Sequence, residues 1–181
     1  RVLKTLDVDS TALGFSGGFP GDFIAQTLED SNIQSDFVQV DEDTRINVKL
    51  KSGQETEINA PGPKVTHAQF EQLLSQIRRT TNDDIVIVAG SVPNSIPSDA
   101  YAQIAQITEK TGAQLVVDAE KDLVETVLPY RPLFIKPNKD ELEVMFNTTV
   151  KSDEDVIKYS NEILKKGAQS VIISLGGDGA I

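Results

Sequence analysis

At 181 residues with 39% hydrophobic content, the chain is long enough to fill one substantial core without disulfides or a structural metal. It has no cysteine and one histidine, His67, which excludes thiol nucleophiles and Cys/His zinc sites and nearly excludes a Ser-His-Asp triad. A formal net charge of -11 argues against nucleic acid or an anionic membrane as partner, and no apolar stretch nears the roughly 20 residues of a spanning helix, so a cytoplasmic place is expected.

Residues 1–6 read as a helix already in progress, and the chain stops just past an apolar strand, so both ends are expected to be cut. Strands are predicted at 12–15, 85–89, 114–118, 133–136 and 170–175, alternating with helices in the manner of βαβ units around a parallel sheet buried on both faces. The glycine-rich run from Gly14 to Asp22 follows the first strand and opens a helix. Runs at 37–40, 45–50 and 55–59 break the rhythm and read as an antiparallel flap, the last two joined by a turn at Lys51-Ser52-Gly53-Gln54. Thr66 with Gln69 makes a capping box, Pro97-Ser98 opens a helix ending near Gly112, and Ser152 with Asp155 opens one ending at Lys165-Lys166-Gly167.

In the flap, Arg45, Asn47 and Lys49 stand at spacing two and project from one strand face, where they can meet an anion together or simply face solvent. Gly17 and Gly18 lie in the glycine-rich run, which matches neither a Walker loop nor a dinucleotide fingerprint and fits a tight βα turn beside a sugar. Lys136, Asn138 and Glu141 sit where a strand ends and a helix begins, the usual ligand side of an α/β sheet. Asn138 and Glu141 share a helix face and can hold hydrated Mg²⁺ near phosphates, or serve as an ordinary cap. Ser174, Gly176 and Gly179 end an apolar run in small residues that admit a nucleotide or form a plain turn. His67 reads as structural or solvated, and Asp118, ending a strand, as a candidate pocket residue.

These segments, in this order, resemble the ribokinase-like carbohydrate kinases of the phosphofructokinase B branch, nearest within it to the bacterial 1-phosphofructokinases. The resemblance runs through Asp43-Thr44-Arg45-Ile46-Asn47-Val48-Lys49 as lid strand, residues 55–63, Ala89-Gly90-Ser91-Val92-Pro93, Lys136-Pro137-Asn138-Lys139-Asp140-Glu141 and Ser174-Leu175-Gly176-Gly177-Asp178-Gly179-Ala180. It implies a three-layer α/β/α fold with a mainly parallel sheet, an incomplete core at 1–35 and 61–181, and a small antiparallel β lid at 36–60. It further implies ATP-dependent phosphorylation of fructose 1-phosphate to fructose 1,6-bisphosphate. In that picture Arg45, Asn47, Lys49, Gly17 and Gly18 bind substrate, and Lys136, Asn138, Glu141, Ser174, Gly176 and Gly179 bind nucleotide. Glu141 and Asn138 govern Mg²⁺ through water, and the lid pairs two copies into a homodimer.

Two family motifs are not found in the 181 residues, an N-terminal G-G-K-G-x-N and the G-A-G-D that supplies the catalytic base. The resemblance therefore puts the base outside this chain, which by itself is expected to be inert. Tagatose-6-phosphate and fructose-6-phosphate kinases share the scaffold, and a noncatalytic sugar-phosphate sensor is the alternative from another class. A dinucleotide oxidoreductase is disfavoured by the missing fingerprint.

Overall fold

The computed structural model describes every residue except Gly53, Ser91 and Glu120, and the side chains of residues 51–55 also fall outside the description. The expected turn at Gly53 and the Ser91 step of the 89–93 motif therefore lie outside the described residues. The chain divides into two compact units, Arg1–Leu73 with Pro93–Pro97 and Leu74–Val92 with Ser98–Ile181.

In the first unit, α1 (Val2–Thr5) precedes β1 (Thr11–Ser16), α2 (Gly18–Asp30) and β2 (Gln34–Gln39). β1 and β2 run parallel, from Thr11 opposite Gln34 to Ser16 opposite Gln39, and Val40 prolongs the ladder by donating its N–H to the Ser16 carbonyl at 2.9 Å. This corrects the expectation that residues 37–40 start the antiparallel flap. The 13-residue α2 is long enough to carry the chain back across the sheet, which a parallel partner requires and a hairpin partner does not. Burial of Val38 and Val40 fixes the register.

The flap itself is a two-stranded antiparallel hairpin, β3 (Asn47–Ser52) against β4 (Gln54–Asn59), with Asn47 opposite Asn59 and Lys49 opposite Glu57. Arg45, expected inside this strand, precedes it. Continuing the register would set Arg45 opposite Pro61, which has no N–H to give a ladder. α3 (His67–Ile77) begins with the expected capping box: the Thr66 N–H donates to Gln69 Oε1 at 2.8 Å and the Gln69 N–H to Thr66 Oγ1 at 3.3 Å. Before it, the Val65 N–H donates to Ser95 Oγ at 2.8 Å, tying the 93–97 segment into this unit.

The second unit is a run of parallel pairings. β5 (Ile85–Ala89), β6 (Gln114–Asp118) and β7 (Phe134–Ile135) stand in that order, with α4 (Ala100–Thr111) and α5 (Lys121–Val127) between them and α6 (Lys139–Phe146) and α7 (Asp153–Lys166) after. β6 and β7 are buried as expected, but β5 keeps Ile85 and Ile87 each 56% exposed, so burial on both faces does not extend to that strand. Val117, Val124, Val127, Ile135, Leu142, Val156, Ile163 and Ile173 are all but inaccessible and form the centre of the core. Each such side chain contributes about 1.5–3 kcal/mol of transfer free energy. α7 is fixed at both ends by charge as well as packing. Ser152 accepts the Asp155 N–H, acids fill the first turn, and Lys165 and Lys166 stand in the last.

Residues 170–175, expected as a strand, form a broken one. The segment lies parallel to β7 through isolated bridges at Val171 and Ser174. Ile135 N–H reaches the Ser170 carbonyl, and the Ile172 and Ser174 N–H groups reach the carbonyls of Ile135 and Pro137. The N–H that position 137 would give back to this segment does not exist, because that residue is proline.

Gly167 ends α7 at φ 134°, and a Cβ there would stand 2.1 Å from the Leu128 carbonyl oxygen. Gly167→Ala should destabilise the unit by about 1–3 kcal/mol, whereas Gly177→Ala, which meets nothing within 4 Å, should stay within about 0.5 kcal/mol; urea unfolding compares them.

Candidate functional site

In the first unit the polar face of the flap is assembled by register. Residues directly opposite in an antiparallel pair share a face, so Asn47, Lys49, Glu57 and Asn59 stand together while Val48, Leu50 and Ile58 occupy the other side. The Lys49 ammonium is ion-paired with the Glu57 carboxylate, and Asn59 Nδ2 donates to Glu57 Oε2 at 3.5 Å. The hydrogen bond from Lys49, then that from Asn59, then the Lys49 charge hold the Glu57 carboxyl below the usual carboxylate range. Lys49 thus already has an anionic partner, and an incoming phosphate has to compete with Glu57. Arg45 is exposed just ahead of the strand.

Gly17 and Gly18, expected beside substrate, are where residues 40–44 fold onto the start of α2. A Cβ at Gly17 would stand 2.2 Å from the Glu42 carbonyl oxygen, and one at Gly18, where φ is 59°, would stand 1.7 Å from Asp43 Oδ1. Gly17 N–H donates to Thr44 Oγ1 at 3.0 Å, and the Thr44 N–H donates to the Gly17 carbonyl at 2.8 Å. The glycines allow this close backbone approach.

In the second unit, parallel pairing aligns the carboxyl ends of the strands at one edge. Asp118 ends β6 and Lys136 follows β7. Their side chains, each about two-fifths exposed (42% and 39%), form an ion pair at 3.2 Å. Beside them Asn138 caps α6 in a reciprocal box: its Oδ1 accepts the Glu141 N–H at 2.8 Å, and Glu141 Oε2 accepts the Asn138 N–H at 2.7 Å. The cap reading of this pair is therefore correct, and it occupies one of the two Glu141 carboxylate oxygens. Ser174 joins the same edge, its carbonyl accepting the Lys139 N–H at 3.1 Å. It then leads into a 3₁₀ turn (Gly176–Asp178) closed by the Leu175 N–H on the Gly179 carbonyl. Gly176 (φ 64°) and Gly179 (φ 92°) need glycine for their backbone angles, and no protein atom crowds either. His67 opens α3 and is exposed, in keeping with a structural or solvated residue.

Sequence reasoning gave no individual role to three residues that the structure brings into these contacts. Thr44 and Glu57 come into view through cross-strand register and loop closure. Tyr101, 5% exposed in the first turn of α4, donates its hydroxyl to the Gly90 carbonyl at 2.8 Å and holds the turn after β5. Burial first, and the negative charge of Asp118 second, push its phenol up to about 12. Because the native state holds this proton more tightly than the unfolded chain, whose tyrosine titrates near 10.0, the contribution is complete below that pH and is lost as pH rises toward 12. Urea unfolding from pH 9 to 12 should show that decline, and Tyr101→Phe should flatten it.

Among the described residues no helix is long and apolar enough to cross a membrane, and no three His, Cys, Asp or Glu side chains gather as a metal cluster. The model of the pfkB family of carbohydrate kinases matches residues 1–181. A 1-phosphofructokinase of Bacillus subtilis is 41% identical over all of this chain, and a D-tagatose-1-phosphate kinase of Bacillus licheniformis is 36% identical over 99% of it. A crystal structure of a candidate phosphofructokinase from Staphylococcus aureus is 79% identical over the whole chain, with a TM-score of 0.86. The chain spans 60%, 60% and 59% of these proteins respectively. Parallel strands joined by helices, a small antiparallel flap and this likeness make the fold ribokinase-like α/β. The chain belongs to the pfkB family of carbohydrate kinases.

Proposed function

We propose that this chain supplies the sugar-phosphate grip and the nucleotide-phosphate edge of an ATP-dependent kinase that converts fructose 1-phosphate to fructose 1,6-bisphosphate. The observation that carries the nucleotide half is the cluster at the aligned strand ends, where Lys136 is ion-paired with Asp118 beside the Asn138–Glu141 box. Asp118 keeps the ammonium at the sheet edge in the absence of ligand, and phosphate oxygens with higher charge compete for it. Ser174 lies at the same edge, and a Cβ at Gly176 or Gly179 would meet nothing within 4 Å, which supports a nucleotide lying there.

Transfer needs the free primary hydroxyl of the sugar to attack the γ-phosphorus in line while the bond to the β,γ-bridging oxygen breaks. Catalysis is then mostly positioning and charge stabilisation. The base that takes the hydroxyl proton is not assigned to any residue of this chain. Hydrated Mg²⁺ is compatible with the residues present, since it keeps several waters and needs only one or two carboxylates when phosphates supply the remaining oxygens. Glu141, with the carboxylate oxygen left over from the cap, and Asn138 would both hold it through water. When bound, the ion would neutralise charge on the phosphate oxygens.

The substrate half rests on Arg45, Asn47 and Lys49, and both relatives named above act, by their names, on ketohexose 1-phosphates. The exposed apolar side of the flap, with Val48 43%, Leu50 50% and Ile58 56% accessible, is where we place a second copy in a homodimer, and a cytoplasmic location belongs to the same proposal.

ADP release by the complete polypeptide carrying these residues, with Mg²⁺-ATP and fructose 1-phosphate, tagatose 6-phosphate, fructose 6-phosphate or fructose, tests the reading. Selective turnover of fructose 1-phosphate is expected. Binding of a sugar phosphate without ADP would make the protein a sensor instead. Arg45→Ala should raise the sugar-phosphate KM by about 10–100-fold, the loss of one charge-assisted hydrogen bond, and leave the ATP KM nearly unchanged. Equal effects on both would remove Arg45 from this role.

A further inference from the structure

We propose that Thr44 is a positioning residue that sets Arg45 for the sugar phosphate through a clasp on the first turn of α2; this rests on the substrate reading of Arg45. Gly17 is the N-cap of α2 and has no side chain, so the helix cannot cap itself there. Thr44 serves the other half of a capping arrangement, the N–H of the N-cap residue itself, for which Pro20, third in the helix, has no side-chain acceptor. Its Oγ1 takes the Gly17 N–H at 3.0 Å while its own N–H returns to the Gly17 carbonyl at 2.8 Å, a two-point attachment spanning 27 residues of sequence. Gly17 is buried, so a lost acceptor is not readily replaced by water.

The surroundings make the attachment close. Val40 is tied to the Ser16 carbonyl, and the Glu42 carbonyl and the Asp43 carboxylate lie against the two glycines at distances no Cβ tolerates. Asp43 thereby brings negative charge to the helix N-terminus, the position an anionic ligand would favour. The glycine-rich run is thus filled by the chain's own 40–44 loop. Its role toward substrate is indirect: it anchors the loop.

Thr44 is the last residue of this anchored loop. Arg45 is the next residue, and the β3 ladder begins only at Asn47. The Arg45 backbone is therefore fixed on one side by the clasp and two residues later by the hairpin. A long, exposed arginine contributes to recognition only if its Cα is held, because its rotamer freedom otherwise disperses the charge.

The test uses the complete polypeptide and compares Thr44→Val, Thr44→Ser, Arg45→Ala and the Thr44→Val/Arg45→Ala double variant. Thr44→Val keeps the shape and removes the hydroxyl. It should raise the sugar-phosphate KM about tenfold, roughly the effect of one buried donor left unpaired, with the ATP KM and kcat within about twofold. Thr44→Ser should restore the wild-type KM. If Thr44 acts through Arg45, the double variant should be no worse than Arg45→Ala alone, because coupled residues are not additive. A sugar-phosphate KM unmoved by Thr44→Val, equal rises in both KM values, or full additivity in the double variant would overturn the proposal. Wild-type protein without sugar-phosphate turnover would instead remove the substrate reading on which it rests.

Discussion

Parallel strand pairing is the constraint from which the placement of the candidate residues follows. Each parallel partner requires a return across the sheet, here through α2 in the first unit and through α4 and α5 in the second. Every strand in a sheet then ends at the same edge. Asp118, the Lys136–Asn138 pair and Ser174 come from three separate stretches of sequence, yet the register sets them side by side. The buried residues of β6 and β7, with Val124, Leu142 and Ile163 packed in the same core, make that edge rigid. A charged pair there is held by strands that cannot shift by one residue without exposing the core.

Two of the cations proposed to meet phosphate, and the capping pair beside one of them, are already engaged. Lys136 is paired with Asp118, Lys49 with Glu57, and Asn138 and Glu141 close each other's box. A chain with net charge -11 offers its cations carboxylate partners in abundance, and half-exposed pairs of this kind contribute little to stability. Their value is geometric. Each cation is held by a monoanion with which a phosphate, having more charge and more acceptor oxygens, would compete in the proposed role. The capping box does the same for Glu141, whose carboxylate is oriented by the helix it helps to start.

Glycine serves two different ends along the chain. Gly176 and Gly179 are required by backbone angle and stand in open space, so they leave the sheet edge low. Gly17 and Gly18 are required by close approach, because the loop of residues 40–44 lies against them. In sequence both runs look like ligand loops; only the neighbours distinguish them.

What the sequence determined alone was whatever depends on local chemistry. The capping residues Thr66, Asn138 and Ser152, the glycines after α4 and α7, the strands at 85–89 and 114–118, and each single motif that marks the family are set within a few residues of chain. Tertiary structure decided whatever depends on a partner distant in sequence. Residues 37–40 carry the same short apolar run whether they pair with β1 or with a hairpin, and only the crossover through α2 selects the parallel partner. The break in 170–175 arises from a missing N–H on the neighbouring Pro137. The pairings of Lys49 with Glu57, Thr44 with Gly17 and Tyr101 with Gly90 form where register and loop closure bring separate segments within hydrogen-bond distance, and no local pattern encodes that distance.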